Sequence, residues 1–174
     1  MSAYLSFETE RLLIKPTSTA DAAFIVELLN TPQWLKYIGD RNVRSVKAAE
    51  EYIGSRILPQ LKKLGYGNYT VIRKSDGAKI GTCGLYDRQG LDGIDIGFAF
   101  LPQYEKQGYA FEAASKLSNA AFEHFGLKQI CAITTKGNIA SQKLLETLGL
   151  RYVKLVKLPH DAEELLLYQT DFKV

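Results

Sequence analysis

The sequence predicts an α/β domain (α+β by looser usage) built on a mixed, mostly antiparallel sheet flanked by helices. Three observations predict it. In the middle of the chain, residues 69–73 and 79–86 flank Ser75-Asp76-Gly77, a strong hairpin signal between β-patterned runs. Apolar stripes of helical period lie before and after these runs. Finally, an alternating run from Ile94, an Ala-rich helix opened at Gly108 and a β-like run at 129–134 form a strand–helix–strand crossover, which requires a parallel strand pair.

The elements follow in order. Residues 12–15 read as a first strand, stopped by Pro16. Ser18 and Asp21 have the spacing of an N-terminal cap, and Phe24, Ile25, Leu28 and Leu29 form the stripe of a helix that ends near Asn30. Residues 32–44 read as irregular. Ser45 caps a second helix whose stripe is Ala48, Ala49, Tyr52, Ile53 and Ile57, with a kink or break expected at Pro59. After the hairpin and a turn at 89–93, Ile94, Ile96, Phe98 and Phe100 alternate with Asp95, Gly97 and Ala99, as in a half-buried strand. The helix after Gly108 shows Ala110, Ala113, Ala114, Leu117 and Ala121 on one face and ends near Gly126. A short helix over 138–148, closed by Gly149, precedes strands at 152–158 and 165–170. No repeat, linker or low-complexity tract divides residues 1–174, so a single domain is expected.

Composition narrows the function classes. A formal charge of +3 without a basic stripe gives no support to nucleic-acid binding. No apolar run reaches the length of a membrane span, and no basic region followed by an apolar core marks a signal peptide. Cys83 and Cys131 sit in β-like apolar runs without metal-ligand spacing to each other or to His124 and His160. Buried thiols in a reducing cytoplasm, and no metal, are the expectation.

The segment 94–115 carries the chemistry. A strand that leads through a polar loop into a helix N-terminus presents unpaired backbone N–H groups, for which a phosphate or pyrophosphate is the natural ligand. With this segment in view, the chain resembles the GNAT acetyltransferases, in particular the RimJ and RimL branch that acetylates ribosomal-protein N-termini. The resemblance runs through Glu8-Thr9-Glu10-Arg11-Leu12-Leu13, Ile80-Gly81-Thr82-Cys83-Gly84-Leu85, Ile96-Gly97-Phe98, Pro102 to Ala113, and Asn138, Ala140, Ser141 and Leu148-Gly149. It implies the family fold, in which the central parallel pair splays, and acetyl-CoA as co-substrate. Gln107, Gly108, Tyr109 and Ala110 match the positions that receive the pyrophosphate. Phe98, Ala99 and Phe100 lie on the strand that pairs with the pantetheine arm, with the Phe98 or Ala99 N–H facing the oxyanion. Asn138 and Ser141 match the second cofactor segment. Glu105 departs from the family pattern, which has Gln or Arg there.

The same likeness frames the catalytic candidates. Asp95 is the best carboxylate base, set against a plain solvated charge on the strand. Ser141 can protonate or hydrogen-bond the departing thiolate, set against a helix-start hydrogen bond. Leu145 stands where many relatives carry a general-acid tyrosine. Lys143 and Lys136 are candidates for the 3′-phosphate of CoA, or solvated lysines. Trp34, Tyr37, Tyr66 and Tyr86 are candidates to line the acceptor pocket, or core aromatics. The resemblance implies direct acetyl transfer to a primary amine, favouring a protein or peptide N-terminus. Small amines and antibiotics remain alternatives, as does a non-catalytic acyl-CoA-binding module. Monomer and homodimer are both open.

Overall fold

The strands are β1 (Phe7–Glu8), β2 (Leu12–Pro16), β3 (Asn68–Arg73), β4 (Lys79–Asp87), β5 (Ile94–Phe100), β6 (Ile130–Thr134), β7 (Arg151–Val156) and β8 (Leu165–Gln169). In the computed structural model, which describes residues 4–172, they form one eight-stranded sheet in the order β1-β2-β3-β4-β5-β6-β8-β7. Every pairing is antiparallel except β5 with β6. The hairpin forms as expected, with the Gly77 N–H donating to the Arg73 carbonyl at 2.8 Å and Gly77 at φ +73°. The two-residue β1 lies before the expected first strand and is too short to register as a pattern.

The helices are α1 (Ala22–Leu29), α2 (Pro32–Tyr37), α3 (Val46–Tyr52), α4 (Leu58–Leu64), α5 (Tyr109–Glu123) and α6 (Ile139–Thr147). Ser45 caps α3 by accepting from the Ala48 N–H at 3.0 Å. Ser18 and Asp21 form the expected cap, the Ser18 N–H donating to Asp21 at 3.0 Å. One expectation is corrected. Residues 32–44 are not wholly irregular: Thr31 caps α2 and Pro32 takes its first turn, where a missing N–H costs nothing. The interruption expected near Pro59 is present as a π-helical turn over Ile53–Ile57, after which α4 begins with Pro59 in its first turn.

The two sheet faces differ in chemistry. On one face α5 lays Ala113, Ala114, Leu117 and Ala121 against Leu12, Ile14, Val71, Leu85, Ile96 and Phe100. The second core packs α1 and α3 around Val43 and Leu101, with Ala99 at its margin. Gln60 of α4 ties this layer to the sheet, donating to the Leu85 carbonyl at 2.8 Å and accepting from the Asp87 N–H at 3.1 Å. Among the described residues no helix is long and apolar enough to cross a membrane.

Leu117 is fully buried at the centre of the α5 face. Leu117→Ala should cost about 2–5 kcal/mol of stability. A urea titration followed by circular dichroism checks this.

Candidate active site

The site begins where two strands part. β5 pairs with β4 along its whole length, from Ile94↔Asp87 to Phe100↔Gly81. It pairs with β6 only at Ile94↔Ile130 and Asp95↔Cys131. Beyond Asp95 the two parallel strands diverge, as the resemblance implies. The Leu101 N–H donates to the Ile80 carbonyl at 2.9 Å. By the alternation of an antiparallel ladder, the polar groups of Ala99 also face β4, while those of Phe98 and Phe100 face the gap. The Phe98 N–H, and not that of Ala99, is thus the donor turned toward the opening. Because the strands are parallel, their C-terminal ends and the N-termini of α5 and α6 meet at one end of the gap, where ligands of α/β sheets bind.

The turn into α5 is left-handed twice, at Lys106 (φ +61°) and Gly108 (φ +83°). Lysine rarely adopts this conformation. The helical ladder starts with the Glu112 N–H donating to the Gly108 carbonyl at 3.0 Å, so the N–H groups of Tyr109, Ala110 and Phe111 have no partner within the helix. Gly108 is exposed and Tyr109 is buried, which leaves the backbone of this turn open while the tyrosine ring packs inward. Gln107 turns its side-chain amide back onto the Gln103 carbonyl at 3.0 Å, so it offers its main chain to a ligand. Glu105, the residue out of pattern, is half-buried, and burial raises its carboxyl while Lys106 opposes the shift.

Sequence reasoning missed what holds this turn. Arg11 donates from Nη1 to the Gln107 carbonyl at 3.0 Å and from Nε to Glu112 at 2.8 Å, and its guanidinium lies 4.2 Å from the centre of the Tyr109 ring. Glu112 also accepts from the Arg11 backbone N–H at 3.0 Å and from the Thr9 hydroxyl. Burial alone would raise the Glu112 carboxyl; the Thr9 and Arg11 bonds together outweigh it and hold it below the ordinary glutamate range. One arginine before β2 thus fastens the phosphate-facing turn to the first hairpin. The signal was the run Thr9-Glu10-Arg11, but a partner about a hundred residues away cannot be read from local pattern.

On the sheet face opposite α5 lies a directed chain of hydrogen bonds. Tyr86 donates to Asn68 Oδ1 (2.5 Å), Asn68 Nδ2 to Thr17 (2.8 Å), and Thr70 to Asp21 (3.1 Å), with the Thr17 and Thr70 hydroxyls 2.8 Å apart. Lys79 pairs with Asp21 at 2.6 Å. Such aligned bonds reinforce one another in a low-dielectric interior. The Tyr86 ring lies across the cross-strand pair Gly84↔Gly97. A Cβ on Gly97 would come 2.9 Å from Tyr86 Cε2, and one on Gly84 would enter the ring. The Arg88 guanidinium lies 4.8 Å from the Tyr86 ring centre, and its Nε donates to both Asp95 oxygens at 2.9 and 3.1 Å.

Asp95 is therefore neither solvated nor on an open face: it is 1% exposed, with Arg88 of the β4–β5 connection bound to both of its oxygens. Burial raises its carboxyl above the ordinary aspartate range, and Arg88 works against that shift. Asn138 accepts from the Ser141 N–H at 3.2 Å and so caps α6. The helix-start bond is made by the Ser141 backbone, and the Ser141 hydroxyl is left out of it. Lys143 and Lys136 are exposed. Trp34 packs at the edge of the second core with its indole N–H unpaired among the described residues. Tyr37 lies under the Lys36 ammonium. Among the described residues, Tyr86 is the aromatic candidate that joins the Asp95 cluster, through Arg88. Tyr66 packs against Phe125 in the α5 core. Leu145 is fully buried. Both cysteines are buried, and burial pushes each thiol up to about 12.

Comparisons with known proteins identify the family and the fold. The family model for the acetyltransferase (GNAT) domain matches residues 11–151, and the chain belongs to that family. It is 28% identical over 143 residues to the uncharacterized N-acetyltransferase YoaA of Bacillus subtilis (strain 168), covering 82% of this chain and 80% of that one. A GNAT-family acetyltransferase structure from Bacillus anthracis aligns with a TM-score of 0.75 at 25% identity, over 95% of this chain and 96% of that one. The fold is also that of the ribosomal-protein-S5-alanine acetyltransferase of Vibrio fischeri, with a TM-score of 0.79 at 20% identity over 98% and 100% of the two chains. The protein is an acetyl-CoA-dependent N-acetyltransferase of the GNAT fold.

Glu112→Gln should lower stability by about 1–2 kcal/mol and raise the KM for acetyl-CoA severalfold, since the turn loses its anchor. The contribution of Glu112 is fully present above its ordinary carboxylate value and is lost as pH falls through the depressed folded one. The stability gap between wild type and Glu112→Gln should therefore close on acidification. Denaturant titrations at neutral and acid pH measure it.

Proposed function

We propose that the acceptor is a protein or peptide N-terminal α-amine, and that acetyl-CoA lies in the β5–β6 gap. The observation that carries this reading is the divergence of the two parallel strands after Asp95, directly beside the open turn of α5. The pantetheine arm then pairs along the gap-facing groups of Phe98 and Phe100. The backbone of Gln107, Gly108, Tyr109 and Ala110 receives the pyrophosphate, where aligned N–H groups favour an anion. Asn138 and Lys143 contact the cofactor from the α6 end. Trp34, Tyr37 and Tyr86 are the proposed acceptor-side aromatics. Residues 1–174 are taken in this reading as one such domain.

The chemistry needs little force. An α-amine has an ordinary pKa of about 7.7–8.0, so much of it is neutral near physiological pH. Its nitrogen attacks the thioester carbonyl, the Phe98 N–H supports the oxyanion, and the C–S bond breaks as the amide forms. Asp95 is too deeply buried to touch the amine, so the proposed path carries the ammonium proton to its carboxylate through a bridging water. The Ser141 hydroxyl donates to the departing thiolate. The cysteine thiols, held near 12, are poor nucleophiles, which supports direct transfer over an acetyl-enzyme. The second reading is an acyl-CoA-binding module without turnover. It is favoured by Leu145, a buried side chain that cannot donate a proton, at the position where the family resemblance implies a general-acid tyrosine in many members.

Incubation with acetyl-CoA and a panel of peptides, small amines and aminoglycosides, following release of the CoA thiol, tests the acceptor. Turnover greatest with peptides is expected. Turnover confined to small amines would overturn the acceptor, and tight acetyl-CoA binding without any turnover would favour the module. Asp95→Asn and Ser141→Ala should each lower kcat by about 10²–10⁴ and about tenfold, respectively, with little change in acetyl-CoA affinity. Gly108→Val places a β-branched residue at φ +83° with its Cβ 3.3 Å from Arg11. It should abolish CoA binding by calorimetry, while a retained melting transition shows the fold intact.

A further inference from the structure

We infer that Arg88 is the residue that selects the acceptor, by donating its free Nη groups to the first peptide carbonyl of an incoming N-terminus. This inference rests on the peptide-amine reading of the site and adds a residue that the sequence did not single out. The side chain is held on two sides. Asp95 fixes Nε and the Tyr86 ring supports the guanidinium, while Nη2 lies over Gly97, 3.8 Å from where a Cβ would stand. Nη1 and Nη2 make no hydrogen bond among the described residues. Yet the side chain is only 36% exposed, so these donors are partly withdrawn from water and directed across β5.

Their position relative to the gap decides what they can bind. Nη2 hangs over Gly97, next to Phe98, whose N–H faces the opening. In a peptide N-terminus the amine nitrogen and the first carbonyl oxygen are only about 3 Å apart. An amine poised at a thioester beside Phe98 therefore brings its own carbonyl to within reach of a donor over Gly97. Charge narrows the choice further. Asp95 already balances the guanidinium, so a carboxylate arriving at Nη would leave one buried negative charge uncompensated. A neutral carbonyl would not. The pair is thus matched to a peptide bond and poorly matched to a free amino acid or a simple alkylamine. The glycine pair Gly84↔Gly97 serves this arrangement, because the Tyr86 ring that carries Arg88 can lie flat only where neither strand bears a side chain.

The test measures binding, so it does not depend on turnover. A short alanine-led peptide and its isostere, in which a trans-alkene replaces the first peptide bond, are titrated by calorimetry into CoA-loaded wild type, Arg88→Gln and Arg88→Lys. Wild type should bind the peptide about tenfold to a hundredfold more tightly than the alkene, the cost of removing a hydrogen bond to a charged donor. Arg88→Gln should bind both alike, and Arg88→Lys should recover part of the preference. CoA affinity and melting temperature in each variant report on the fold. No preference in wild type, a preference retained in Arg88→Gln, or no peptide binding at all would overturn the inference. If the preference is present but no CoA thiol is released with any acceptor, the carbonyl assignment stands and the catalytic reading falls.

Discussion

The structure turns on the double duty of one strand. β5 satisfies β4 over seven antiparallel pairs but shares only two parallel pairs with β6. The register with β4 is fixed by side chains on both faces, so β5 cannot rotate to follow β6. The backbone groups of Phe98 and Phe100 are therefore left facing a gap inside the sheet. An unpaired backbone group away from water costs about 1–3 kcal/mol, so backbone groups turned into the gap are matched to a partner with amide groups of its own. The helix N-termini that must cap a parallel crossover arrive at the same place. A cofactor that carries both amides and a pyrophosphate fits the two needs at once.

The two layers around β5 divide the labour. The α5 side is apolar and fixes the strand in place through Ile96 and Phe100. The opposite side carries the second apolar core and, beside it, a chain of donors that runs from Tyr86 to Asp21. Arg11 and Glu112 do the corresponding work for the turn before α5. Rigid apolar packing sets where the gap is, and directed hydrogen bonds set what its walls present.

Most of the architecture was legible because it is written in short-range pattern. The hairpin triplet, the Ser45 cap and the crossover each depend on residues close in sequence. α2 was not legible, because its six residues span less than two turns and Leu35 and Ile38 point their apolar groups outward. The π turn before Pro59 was hidden for a related reason, since apolar periodicity reads through a one-residue insertion. The cofactor positions were accessible because backbone contacts need only the loop's shape, which Gly108 and its neighbours advertise. Arg88 was not, since its meaning arises from Asp95, Tyr86 and two glycines that only the sheet register brings together. Asp95 itself stood out as a carboxylate, but alternation along β5 predicted an exposed position, and the carboxylate is in fact buried against Arg88.

The glycine–tyrosine contact also sets the order in which this site can change over evolutionary time. Alanine at Gly84 or Gly97 is blocked while the Tyr86 ring lies across them. Once Tyr86 becomes a small residue, both glycines are free to drift, and a later return of tyrosine is then shut out. The order of changes is therefore constrained: the ring must go before either glycine, and it can return only while both glycines remain, so departures of the acceptor wall in such a fold become fixed by the second substitution.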